Sequence, residues 1–146
     1  MVDNTWAYEN ETKIIGILNA YAIPALKKKF AKNSKIQFNG TTITNLSSRL
    51  SKPTFPTIYV KEIGFSVNGK TLEAKEITSI TPTYQVKAIT NTSQEDAHKI
   101  LAIVADFFQQ MMFENLQGLP FEDSTSGVYT CTTRFKRTID KHDRLI

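Results

Sequence analysis

The stretch "FPTIYVKEIGFSVNGKTLEAKEITSITPTYQVKAIT", residues 55–90, decides the fold. At its start, "PTIYVKEI" alternates, so Ile58 and Val60 share one side of a strand while Thr57, Tyr59 and Lys61 take the other. Near its end, "SITPTYQVKAIT" sets Ile80, Tyr84, Val86 and Ala88 together, opposite Thr83, Gln85 and Lys87. Pro82 has no N–H to give a ladder, which predicts an edge or a bulge at that end of the second strand. Between the two lies "GFSVNGKTLEAKEITS", residues 64–79, too long for a tight hairpin and too polar for a helix. Its apolar residues Phe65, Val67, Leu72 and Ile77 keep no sustained period, so the sequence predicts a flexible arm with a reversal at Asn68-Gly69.

Working outward, the helical signals flank this core. From about Asn4 to Phe30, Ile14, Ile15, Leu18, Tyr21, Ala22 and Leu26 recur at three-to-four spacing and form one stripe, with Thr5 or Asn10 as candidate caps. Pro24 predicts a kink or break near Ala22 or Ile23, and Lys27, Lys28 and Lys29 suit the negative end of the helix dipole. Asn39-Gly40 within "KIQFNGTTIT" is a hairpin signal, and "LSSRLSKPT" reads as loop. Ser93 followed by Asp96 predicts a capped helix over about 94–116, with Ala97, Ile100, Leu101, Val104, Phe107, Phe108, Met111 and Met112 as its stripe. Part of that wide stripe is free to face a neighbouring subunit. Gly118 and Pro120 stop the helix, and Glu122 and Asp123 read as loop. A last strand, "GVYTCTTRFKRTI", puts Tyr129, Cys131, Thr133, Phe135 and Ile139 on one side.

The sum is a single α+β domain over residues 1–146. An antiparallel or mixed sheet of about four strands packs against two helices, with a long arm between two strands and a basic tail at 140–146. A chain of 146 residues can bury roughly two-thirds of its unfolded surface and needs no staple. Cys131 is the only cysteine, so no internal disulfide forms. "MVDNTWAYENE" lacks the basic and apolar regions of a signal peptide, and "ILAIVA" is too short to span a bilayer, which together predict cytoplasmic synthesis. The sequons at Asn10, Asn39, Asn45 and Asn91 then read as chance matches.

Chemistry finds few footholds. His98 sits early in a helix, and Cys131 falls on the apolar side of a strand, so neither suggests an activated nucleophile. Asp140, His142 and Asp143 lie in a charged tail without convergent partners, and "GFSVNGK" lacks the spacing of a phosphate loop. The expectation is a protein that is not an enzyme and carries no cofactor or metal. A net charge of +4, from 18 basic and 14 acidic residues, is mild for a dedicated nucleic-acid binder. Arg134, Lys136 and Arg137 do concentrate charge on the last strand, and Tyr129 and Phe135 interleave with them, so a small nucleic-acid-binding module is the alternative class.

Three phrases carry a resemblance. "FPTIYVKEIG" leads into the arm, "TYQVKAITNTSQEDAHKILAIVADFFQQM" follows, and "RFKRTID" closes the domain. Over roughly residues 5–140 the chain resembles the tail terminator (tail completion) proteins of long-tailed bacteriophages. Those proteins place a Phe-Pro strand before a long arm, a second strand, a Ser-capped helix and an Arg-Phe strand. The resemblance implies a homohexameric ring at the head–tail junction of the virion, assembled in the bacterial cytoplasm. Such a ring caps the tail tube, ends its polymerisation and offers a docking surface to the head-side connector. Phage DNA passes through it without sequence-specific contacts, and no membrane is involved. Another ring component of the phage neck is the nearest variant.

On that basis the arm becomes the expected interface with a neighbouring subunit or the tube. Phe65, Val67 and Leu72 supply apolar contacts, and Asn68 with Gly69 reverses the chain. Lys70, Glu73, Lys75 and Glu76 supply charged contacts across the ring. Arg134, Lys136 and Arg137 form a second candidate interface. Ordering residues 64–79 without burial would cost about 1–2 kcal/mol each, so the arm is expected to be mobile alone and ordered by its partner.

Overall fold

A computed structural model describes residues 3–45, 55–72, 75–116, 121–125 and 127–145. After a single 3-10 turn at Thr5–Tyr8 comes helix α1, Asn10–Lys29. The strands are β1 (Ile43–Thr44), β2 (Thr57–Lys70) and β3 (Ile77–Thr90). Helix α2 spans Gln94–Gln110, followed by β4 (Glu114–Asn115), β5 (Phe121–Thr125), β6 (Val128–Lys136) and β7 (Ile139–Asp140). The fold is α+β, as the sequence predicts, but among the described residues the sheet has seven strands rather than about four. Its order is β1-β2-β3-β6-β4, with β5 also on β6 and β7 continuing along β3. All pairs are antiparallel except β1 with β2.

Both helices cover one side of this sheet and pack on each other, α1 over β1 and β2, α2 over β3 and β6. Ile14, Leu18 and Leu26 of α1 meet Ile58 and Val60 in the core, together with Tyr84, Val86, Ile100, Val104 and Phe108. Phe108 stacks on Phe135 with ring centroids 4.5 Å apart and meets Phe113 edge-on at 5.2 Å. Cys131, Thr133, Phe135 and Ile139 are buried as the alternation predicts. The Ser93 hydroxyl accepts the Asp96 N–H at 3.1 Å, the cap expected from the sequence.

Several expectations change. Helix α1 runs unbroken through Pro24. Pro24 lies on the exposed side, where its ring meets no core, while Ala22, Ile23 and Leu26 are buried on either side of it and hold the turn. Neither Thr5 nor Asn10 caps that helix; the Asn10 amide instead donates to the Trp6 carbonyl at 3.1 Å. Asn39 makes a local turn by accepting the Thr41 N–H, but no hairpin follows, because Ile43–Thr44 pairs in parallel with β2. Helix α2 stops at Gln110, with Met111 as its C-cap, short of the predicted 116; Met112 takes a φ of 67°, and β4 follows. Glu122 and Asp123, read as loop, lie in the strand Phe121–Thr125, which pairs with β6. The loop at 46–54 and the stop at Gly118 and Pro120 lie outside the described residues.

Candidate functional site

The predicted arm is a β-hairpin. β2 and β3 stay paired from Thr57↔Ile89 out to Lys70↔Ile77, so residues 64–70 and 77–79 are strand and not a separate arm. The reversal falls beyond Asn68-Gly69, at Thr71–Glu76, where the Thr71 N–H donates to the Glu76 carbonyl at 2.8 Å. Lys75 supplies the left-handed residue there, with a φ of 55°. Gly69 lies inside β2 at a register irregularity; a Cβ there would sit 2.4 Å from Thr78 Oγ1 and 3.0 Å from Ser79 Oγ. The crowding comes from those two hydroxyls, with the nearest backbone atom, Ser79 N, at an ordinary 3.5 Å, so Gly69 serves local packing and not the turn.

A bulge divides the hairpin. Glu62 pairs with Tyr84 and Gly64 with Thr83, leaving Ile63 as the extra residue, and Gly64 takes a φ of 152°. The bulge shifts the parity of β2. Ile58, Val60 and Glu62 share the helix side with Ala88, Val86 and Tyr84; beyond the bulge, Phe65 and Val67 occupy that side, opposite Pro82 and Ile80. Pro82 is therefore not at an edge. It faces Phe65 just past the bulge, and its carbonyl accepts the Arg137 N–H in the gap between β6 and β7.

Glu11 and Tyr84 hold this junction. Glu11 accepts the Glu62 N–H at 2.8 Å through one oxygen, and the Asn45 amide at 2.5 Å and Lys61 at 3.6 Å through the other. The Tyr84 hydroxyl donates to Glu62 at 3.1 Å. Burial pushes the Glu62 carboxyl above its ordinary value, partly offset by that hydrogen bond. Burial is also the chief cause that raises the Tyr84 hydroxyl, with the Glu62 charge second.

The chain itself supplies partners to part of the distal hairpin. Ile77 is buried, and Phe65 packs edge-on against Tyr8 at 5.2 Å. The Asn4 side chain accepts the Ile77 N–H at 2.9 Å and donates to the Lys75 carbonyl. Glu76, expected to reach across a ring, receives Lys141 Nζ at 2.5 Å from its own chain. Asn68 bonds Thr81. What remains open is Ile63, Val67, Lys70, Leu72 and Lys75. Val67 is 46% and Leu72 98% exposed, and Tyr8 leaves 68% of its surface beside Phe65. Glu73 lies outside the described residues.

Beyond Tyr59, β2 has no outer strand partner among the described residues, since β1 pairs only with Ile58 and Tyr59. An exposed edge of this kind is a template for another chain unless it is guarded. Sequence reasoning missed Tyr8 and Asn4, because their roles depend on a contact with residues far along the chain.

The second predicted surface is dispersed. Arg134 is exposed on the side away from the helices and bonds Gln85 at 3.3 Å, with Lys136 half-buried two residues on. Arg137 turns elsewhere and pairs with Asp143 at 2.5 Å, both largely covered. Phe135 is stacked in the core, so it offers no face to a base. Burial pushes the Cys131 thiol up to about 11, which leaves little thiolate at neutral pH. No helix among the described residues is long and apolar enough to cross a membrane. Compared with known proteins, the sequence matches no protein-family model, and no curated protein matches it either.

Proposed function

We propose that this protein is a ring-forming assembly component of the tail-terminator type. In this role it caps a phage tail tube at the head–tail junction, ends its growth and seats the head-side connector. One observation carries the reading: a hairpin anchored by the chain's own core reaches past it with a strand edge that has no ladder partner among the described residues and an apolar side made of Tyr8, Phe65 and Val67. An anchored projection whose outer edge has no strand partner among the described residues, and whose side is apolar, fits self-assembly, where a head-to-tail contact repeated by rotation closes a ring. Backbone pairing along β2 would supply affinity, and the apolar side specificity. Lys70 and Lys75 leave positive charge at the outer end for an acidic neighbour.

Electron microscopy of particles assembled without the protein tests this. Tubes of uncontrolled length, with DNA-filled heads left unjoined, are the expected result. Tubes of normal length that fail only to join would reassign the protein to another ring of the neck. Normal tails attached to heads would overturn the assembly role.

A further inference from the structure

We infer a binding site for a zinc-like divalent cation where α2 crosses the β5–β6 hairpin, with His98, Glu122 and Cys131 as its ligands. The three come from separate elements, and their donor atoms, His98 Nδ1, a Glu122 carboxylate oxygen and Cys131 Sγ, all lie within 4.8 Å of one another. Glu122 and Cys131 are direct cross-strand partners, and His98 comes from the first turns of the helix above them. His98 Nδ1 already touches Glu122 Oε1 at 2.8 Å.

The donor set is one that zinc favours, a thiolate, an imidazole and a carboxylate. Zinc holds such donors at about 2.0–2.3 Å, which spaces them about 3.3–3.8 Å apart in a tetrahedron. Reaching that spacing requires His98 and Glu122 to part slightly and to move toward the fixed, buried Cys131. Both are half-exposed side chains with room to do so. A small cavity of about 170 Å³, lined in part by His98, Ala102, Asn115 and Thr133, lies beside His98, and because His98 and Glu122 are half-exposed, water from solvent would complete the set. Binding takes the thiol proton from Cys131 into solvent, so affinity rises with pH. The cation would tie β5, which among the described residues pairs only with β6, to α2. In the sequence alone the three ligands look unrelated: an exposed helical histidine, a loop acid and a core cysteine.

The test is a cobalt titration of the full chain, freed of metal by chelation and kept in a non-thiol reductant. One equivalent of Co²⁺ should bind with a thiolate-to-cobalt charge-transfer band and be displaced by Zn²⁺. Cys131→Ser should abolish the band. His98→Ala and Glu122→Ala, both at exposed positions that leave the fold intact, should weaken binding about tenfold or more. His142→Ala, in the C-terminal tail, should change nothing. Absence of the band in the unaltered protein, undiminished binding in His98→Ala, or loss of binding in His142→Ala would each overturn the site.

Discussion

The two halves of the β2–β3 hairpin share one ladder and differ in almost everything else. In the inner half, Thr57 to Val60 are all buried, and their partners on β3 lie under the helices. In the outer half, β2 is mostly exposed, whereas β3 still buries Ile77 and Ile80. Pairing therefore does not imply burial. β3 lies in the interior of the sheet, between β2 on one side and β6 and β7 on the other, and its alternate residues Ile80, Tyr84, Val86 and Ala88 are buried in the core. Outer β2 is an edge that keeps its place through the ladder, the Asn4 clamp and the Tyr8–Phe65 contact.

The sharpest way to break the contrast is to hollow out the inner region. Phe108→Ala should cost about 3–5 kcal/mol in denaturant unfolding, because the ring is fully buried against Phe135 and Phe113. Gly64→Ala acts at the boundary. A side chain has space there but must adopt the 152° φ, which should cost about 1–3 kcal/mol by the same measurement.

Asn4→Ala removes the clamp and should cost about 1 kcal/mol globally. Its clearer sign is faster amide exchange at Ile77, whose N–H loses its acceptor.

Glu62→Gln is smaller and depends on pH. Burial raises this carboxyl above its ordinary 4.5, so the folded protein binds the proton more tightly than the unfolded chain. Its stabilising contribution is full below that ordinary value and is lost as pH climbs through the raised one. Melting temperatures across that window should fall less steeply in Glu62→Gln than in the parent. An identical slope would place the pH response elsewhere.

Val67→Asp should alter stability least, within about 0.5 kcal/mol, since the side chain is half in solvent. It should nonetheless abolish any ring seen by light scattering or microscopy. A ring that survives this change would move the assembly surface off the outer hairpin.

What could be read in the sequence follows the same boundary. Ile58 and Val60, or Tyr84, Val86 and Ala88, alternate cleanly because helices cover one side of them. Ser93 announces α2 because a cap is a local interaction. Phe65 and Val67 show no period with Ile58 and Val60 because the extra residue at Ile63 moves them from even to odd positions. The outer strand was therefore indistinguishable from an irregular arm. β5 stayed hidden in a short polar run whose pairing depends on β6. Pro24 was a true breaker signal, overruled by the packing of Ala22, Ile23 and Leu26. Among candidate interface residues, Val67, Lys70, Leu72 and Lys75 are open, while Glu76 and Arg137 are engaged by their own chain.

The single extra residue at Ile63 also constrains how this hairpin can vary in length. Deleting it would only remove the bulge, leaving Glu62, Gly64 and Phe65 regularly paired with Tyr84, Thr83 and Pro82 and Phe65 still beside Tyr8. A residue added or removed with no bulge to absorb it would instead swing Phe65 and Val67 to the opposite side of the sheet. Variants that lengthen or shorten the outer hairpin while keeping its recognition surface must therefore change β2 in steps of two, with matching steps in β3, or take up the odd residue in a further bulge as at Ile63. A library of single-residue insertions between Gly64 and Lys70 would tolerate far fewer members than one of paired insertions.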